Sequence, residues 1–230
     1  MPFIIAVGKP LMAASAHEVE LRPYQGFVAG LHDSYATTEF GDSSGVQIDL
    51  SPLGMHMLLG GRPMHELTNG LAYLEDVFGK AGRDLVEQLQ DEDDWEGRFD
   101  RMEAFIAERL RVAPGPAEDM AYAWHRLSDT AGCIAIGALA DEMGYSRKQL
   151  ITRFRDHIGM TPKLAARVLR FQHARKLIEQ ADDLNWSDIA FDAGYYDQPH
   201  LIRDFVEFSG SSPTDYAARI LPDHGGVRGD

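Results

Sequence analysis

The chain has almost no cysteine: Cys133 is the single one in 230 residues. An internal disulfide and a multi-cysteine zinc site are thereby excluded, and a reducing compartment is the matching expectation. With no base beside it in sequence, Cys133 itself reads as a buried structural thiol. Long apolar runs are also missing. The opening MPFIIAVGKPL offers about five consecutive apolar residues and no cationic start, against the ~20 that a membrane helix needs. Neither a signal peptide nor a membrane span is expected, and the cytoplasm is the expected location. No Walker-type phosphate loop, no dinucleotide-binding glycine fingerprint and no serine-centred elbow occurs. His17, His32, His56 and His65, with Glu18, Asp33 and Glu66, keep no tight ligand spacing. The chain is therefore not expected to be an enzyme, and no cofactor or metal is assigned to it.

What is present is an ordinary globular mixture, 44% hydrophobic and 25% charged, long enough for one or two cored domains. The formal charge of −14 argues against a partner rich in phosphate until it is resolved along the chain. Residues 1–130 hold 10 Lys/Arg and 22 Asp/Glu, whereas residues 131–230 hold 12 and 14. Within 143–180, nine cations stand against only Asp156 and Glu179. They are Arg147, Lys148, Arg153, Arg155, Lys163, Arg167, Arg170, Arg175 and Lys176, a basic island in an acidic chain. Charge alone leaves two readings of it open, a solvated helix face or an anion-binding one.

Short runs at 3–7 (FIIAV), 26–31 and 45–50 (GVQIDL), separated by Gly, Ser and Asp, predict strands. In the last of them Val46, Ile48 and Leu50 share one face, which the pleat would bury. Ser51-Pro52 is an N-cap and first-turn pair for a helix through Leu59, stopped by Gly60-Gly61. An apolar stretch follows at Leu71 to Phe78. Helices are expected at about 80–90 and 94–111 by apolar periodicity. In the second of these, Trp95, Phe99, Met102, Phe105, Ile106 and Leu110 form a stripe read as core or as a dimer face. DEDDWE, 91–96, reads as its acidic start. VAPGPAED, 112–119, has the composition of a linker. The expected organisation is thus α+β overall: a small β-rich and helical N-terminal domain at 1–111, a linker at 112–118, an all-α domain at 119–221, and a flexible tail at 222–230. Helical patterning resumes with DMAYAWHRLSD at 119–129.

The all-α part repeats itself. LADEMGYSRKQLITRFRDHIGMTP, Leu139–Pro162, aligns with IAFDAGYYDQPHLIRDFVEFSGSSP, Ile189–Pro213. Leu139, Ala140, Gly144 and Tyr145 correspond to Ile189, Ala190, Gly194 and Tyr195 at an offset of 50. Leu150, Arg153-Phe154, Gly159 and Pro162 then meet Leu201, Asp204-Phe205, Gly210 and Pro213 at 51, so one residue has been inserted where the turn enters the helix. Each unit has the parts of a helix-turn-helix: a short amphipathic helix, a glycine able to take positive φ, and a capped second helix. Ser146 and Asp197 are the expected caps. Leu150 and Phe154, like Leu201 and Phe205, are four apart and would pack one face, leaving the other free. Between the units, Thr161-Pro162 opens a helix through about Gln180, with Leu164, Val168, Phe171, Ala174 and Ile178 on one stripe. Its ~27 Å would suit two second helices placed about 34 Å apart, one turn of DNA.

GYYDQPHLIRDFVEFSGSSPTDY resembles the signature region of AraC/XylS-type transcriptional regulators, and the upstream unit is similar to the first helix-turn-helix of that family. The match covers roughly 117–220. The resemblance implies two helix-turn-helix units joined by a linker helix, with recognition helices about 147–157 and 198–208 entering successive major grooves. It implies a sequence-specific transcription regulator, with activator the expected sense and repression left open. Carried over residue by residue, the DNA-binding candidates are Arg147, Lys148, Ile151, Thr152 and Arg153 in the first helix and Gln198, Pro199, His200 and Arg203 in the second. Gln and Arg suit adenine and guanine edges, and Ile151 a thymine methyl. Arg153 and Arg155 read as phosphate contacts or surface salt bridges sooner than as base readers. Asp192, Asp197, Asp204 and Glu207 make the second unit acidic, and weaker DNA contact is expected from it. Double-stranded DNA, RNA polymerase, a small-molecule effector and a second copy of the chain are the partners implied; a membrane is not. GVQIDLSPLGMHMLLGGRPMHELTN and LEDVFG resemble the sensor or dimerisation region of one subset of these regulators, cupin-like in many members. Here that region is short and reads as entering part-way through the sheet. Two alternatives stay open: a small-molecule-binding protein with a degenerate DNA-binding domain, and a cupin-like metal enzyme.

Overall fold

The computed structural model describes residues 1–15, 18, 20–39, 43–181 and 183–220. The expected tail at 222–230 and His17 lie outside the described residues. The fold is α+β. Strands β1 (Pro2–Val7), β2 (Leu11–Ser15), β3 (Arg22–Tyr24), β4 (Gly26–Ala29), β5 (Ala36–Glu39), β6 (Ser44–Asp49) and β7 (Leu71–Tyr73) all precede residue 74. Helices α1 (Pro52–Leu58), α2 (Leu74–Phe78), α3 (Lys80–Asp91) and α4 (Trp95–Val112) come next, apart from α1, which sits between β6 and β7. The rest is helical: α5 (Glu118–Asp129), α6 (Ile136–Glu142), α7 (Arg147–Ile158), α8 (Pro162–Gln180), α9 (Trp186–Asp192), α10 (Gln198–Ser209) and α11 (Pro213–Arg219).

Two compact units divide the chain. The first comprises Met1–His32, Ala36–Ala121 and Thr152–Met160; the second comprises Asp33–Tyr35, Tyr122–Ile151 and the chain from Thr161 onward. Helix α7 therefore contributes residues to both, and α10 to the second alone.

In the first unit, antiparallel sheets run β6-β1-β4-β7 and β3-β2-β5. Phe3 pairs with Val28 on one side and Ile48 on the other, so β1 is central and its Phe3 and Ile5 are fully buried. Val46 is buried, and Ile48 and Leu50 pack against the same core, as the alternation of β6 requires. Leu74, Leu85, Leu89 and Met102 close that core from the helical side. Ser51 caps α1, its Oγ accepting from Gly54 N at 3.0 Å, with Pro52 in the first turn. Asp94 caps α4, its carboxylate accepting from Gly97 N at 2.7 Å, so the acidic stretch does start a helix. The α4 stripe divides: Met102 is buried with Phe105, Ile106 and Leu110 against it, whereas Trp95 and Phe99 are exposed.

In the second unit, α8 packs against α9 and α10, and α10 against α11. Their shared core holds Ala174, Ile178, Ile189, Tyr195, Leu201 and Phe205, with Phe171 against it. The expected stripe on α8 is incomplete, because Ala165 and Ala166 are buried as well. Small residues on a further side of α8 let backbone come close: a Cβ at Gly132 would stand 2.1 Å from the Ala166 carbonyl oxygen. Among the described residues no helix is long and apolar enough to cross a membrane, and no group of three or more His, Cys, Asp or Glu could hold a metal ion.

Candidate nucleic-acid interface

The two halves of the sequence repeat fold alike. Leu139, Ala140, Leu150 and Phe154 are buried, and so are their counterparts Ile189, Ala190, Leu201 and Phe205. Gly144 and Gly194, which end the first helix of each pair, take φ of +67° and +77°, where a side chain would be strained. Gly159 and Gly210, which follow the second helices, are also at positive φ. Each repeat then hands over to a capped Pro-initiated helix: Thr161 accepts from Leu164 N at 3.3 Å and Ser212 from Asp215 N at 3.1 Å.

Both second helices are capped as expected. Ser146 and Gln149 exchange bonds, Ser146 Oγ accepting from Gln149 N at 3.3 Å and Gln149 Oε1 accepting from Ser146 N at 3.0 Å, a reciprocal capping box. Asp197 accepts from His200 N at 2.8 Å, and Pro199 falls in the first turn of α10, where a missing N–H leaves no ladder bond unmade. The residue that separates the two offsets is Tyr196, 94% exposed.

With their phenylalanines buried, the helices present opposite faces to solvent. On α7, Arg147, Lys148, Ile151, Thr152, Arg153 and Arg155 are all exposed. On α10, Pro199 and Arg203 are exposed and Gln198 and His200 half-buried, with the His200 ring edge-on to Tyr195 at 5.1 Å. Ile202 and Val206 continue that face at 37% and 47% exposure. Val206 was missed in sequence; its spacing of four from Ile202 was the available signal.

The charges are not equally available. Arg153 is bound to Asp119, donating from Nε at 2.8 Å and from Nη2 at 3.0 Å. Arg167 donates to both Asp204 and Glu207, with Nη2 2.8 Å from Asp204 Oδ1 and 2.6 Å from Glu207 Oε2. These carboxylates, with Glu207 first, raise the Arg167 pKa, and burial opposes them. Arg126 donates from Nε and Nη2 to Glu142, each at 3.0 Å, and this hydrogen bonding lowers the Glu142 pKa. Lys148, Arg155 and Arg203, by contrast, form no ion pair among the described residues. Lys163, Arg167, Arg170 and Arg203 line an open cleft of about 530 Å³ at α8 and α10 together with His200, Asp204 and Glu207. Burial, with Asp204 next, raises the pKa of the Tyr195 phenol.

Two sequence expectations are corrected. The acidity of the second repeat is not all on its surface: Asp204 is 2% exposed and held by Arg167, so it presents no free charge to an approaching anion. Cys133 is exposed rather than buried, because it follows α5 in a turn, and a Cβ on Gly194 would stand 2.2 Å from its sulfur.

A family described as a helix-turn-helix domain matches residues 139–219. The HTH-type transcriptional activator RhaS of Escherichia fergusonii is 32% identical over 85 residues, which are 37% of this chain and 30% of that protein. The chain thus spans under a third of the length of that curated relative. ToxT from Vibrio cholerae O395 superposes with a TM-score of 0.52 at 11% identity, covering 94% of this chain and 88% of that one. The same protein bound to (E)-4-(8-methylnaphthalen-1-yl)but-3-enoic acid gives 0.52 at 11% identity, covering 94% and 89%. At such identities the likeness is one of fold, a β-containing region followed by a helical one. The repeat geometry and the matched family coincide on one stretch, and residues 139–219 of this chain form a helix-turn-helix domain similar to those of AraC/XylS-type regulators.

Proposed function

We propose that the chain is a sequence-specific DNA-binding transcription regulator acting in the cytoplasm, with 119–221 as its DNA-binding domain and 1–111 as a sensor or dimerisation region. The observation that carries it is the duplicated helix-turn-helix, in which α7 and α10 bury one face and leave the opposite one to solvent. In this reading the two helices enter successive major grooves. Lys148, Ile151 and Thr152 read bases in one groove and Gln198, His200 and Arg203 in the next, with Pro199 filling the entry of α10. Ile202 and Val206 suit thymine methyls. Arg147 and Arg155 hold phosphates beside the first helix, and Lys163 holds them at the second.

Activation through RNA polymerase, self-association and response to a small molecule belong to the same proposal. The last is supported by the ToxT structure of similar fold that carries a bound butenoic acid. In-vitro selection of duplexes by the purified chain tests the central claim: two enriched half-sites one helical turn apart are expected. An unenriched pool rejects it.

A further inference from the structure

The repeat places Arg153 and Asp204 at the same position, directly before the buried phenylalanine of each recognition helix. They carry opposite charge, yet each is ion-paired to the helix that precedes its own helix-turn-helix unit. Arg153 on α7 is bound to Asp119 on α5 by two bonds, 2.8 and 3.0 Å. Asp204 on α10 accepts from Arg167 on α8 at 2.8 and 3.3 Å, and Glu207, one turn further on, accepts from the same guanidinium at 2.6 and 3.0 Å. The Arg167 guanidinium also lies over the Phe208 ring at 4.9 Å. Neither acid matches the free surface charge that its type suggests. Asp204 is 2% exposed and Asp119 is engaged by the fork of an arginine.

We infer that these pairs are one positioning device used twice with the charges exchanged: Arg153–Asp119 and Asp204–Arg167 fix the rotation of each recognition helix about its own axis, and so decide which side chains it offers to DNA. Arg153 meets both carboxylate oxygens of Asp119 fork to fork, and Arg167 grips Asp204 Oδ1 from two nitrogens; two bonds from one guanidinium constrain direction as well as distance, which a packed phenylalanine alone does not. Arg153 is therefore a positioning residue and not a phosphate ligand. The inference rests on the DNA-binding reading above, and it makes a prediction of opposite sign to simple electrostatics. Removing an acid near a DNA-binding face should tighten binding if charge alone matters. Removing one that holds the helix should weaken it.

The test uses the full chain and the duplex that selection returns. Asp119→Ala is expected to weaken binding about tenfold, roughly the worth of one base contact, with the loss of preference confined to one half-site. Asp204→Asn is expected to do the same at the other half-site alone. The exchanged pairs, Asp119→Arg with Arg153→Asp and Arg167→Asp with Asp204→Arg, are expected to restore most of each loss. Should Asp204→Asn fail to fold, Glu207→Gln, which leaves the buried acid paired, takes its place with a smaller loss at the same half-site. Tighter or unchanged binding by Asp119→Ala, or equal weakening of both half-sites, overturns the inference. If the parent chain selects no sequence, the DNA reading has failed, and amide exchange decides the positioning role separately. Arg153→Ala must then speed exchange along α7 and leave α10 unaltered; equal protection of α7 rejects the device.

Discussion

The two helix-turn-helix repeats share a skeleton and differ in most of what faces outward, with Ile151 and Ile202 the exposed pair they keep in common. In both, a leucine and a phenylalanine four residues apart are buried at 0% exposure, a positive-φ glycine turns the chain, and a side-chain cap starts the second helix. The first helix then offers a cationic face with Lys148 and Arg155 unpaired among the described residues, whereas the second offers Ile202 and Val206 with Arg203. Their settings differ too: α10 lies wholly in one compact unit, and α7 contributes residues to both. The difference teaches that what makes a repeat fold is a short list of interior and turn positions. What it would recognise is written elsewhere on the same helices.

That separation can be attacked directly. Phe154→Ala and Phe205→Ala should be the most damaging changes, each costing about 3–5 kcal/mol in chemical denaturation. Equal cost supports equivalent interiors, and a gap of more than about 2 kcal/mol between them breaks the equivalence. Next, Gly194→Ala should destabilise more than Gly144→Ala. Both glycines are at positive φ, but a Cβ at 194 would stand 2.2 Å from the Cys133 sulfur while one at 144 meets nothing within 4 Å. The expected costs are about 2–3 kcal/mol and about 1 kcal/mol. Adding Cys133→Ala should recover part of the first cost and none of the second, as read by thermal midpoints.

Smaller effects are expected at the caps, where Ser146→Ala and Asp197→Ala should each cost about 1 kcal/mol. A much larger loss at Asp197 would show that the longer second turn leans on its cap more than the first does. The least effect on stability, within about 0.5 kcal/mol, belongs to Lys148→Ala on the exposed face. If Lys148 holds a phosphate as well as reading a base, the slope of log affinity against log salt should fall by about one. An unchanged slope removes it from the phosphate-holding set.

The repeat was legible in sequence because its determinants are local: Gly144, Ser146, Leu150 and Phe154 lie within eleven residues and declare turn, cap and buried face by spacing alone. Strands β1, β4 and β6 were legible for the same reason, as runs of apolar or alternating residues. Strands β2, β3 and β5 were not, since LMAAS, RPY and ATTE are short and carry weak strand patterns. Charge was the least legible layer. Asp204 reads as a surface acid until Arg167, 37 residues earlier, is placed against it, and Arg153 reads equally as a phosphate contact or a surface salt bridge until Asp119 is found 34 residues away. Ion pairs across helices leave no periodic trace, so composition could locate a basic island and not say which of its members were already engaged.

Tyr196 is where the second repeat exceeds the first by one residue. Inside a helix of 3.6 residues per turn, one added residue swings everything beyond it by about 100°, turning the buried stripe off the core. Placed ahead of the Asp197 cap, the same addition is absorbed by the loop, and Leu201 and Phe205 keep the interior roles of Leu150 and Phe154. The cap thus serves as a point where counting restarts: length can vary upstream of it without scrambling the helix that follows.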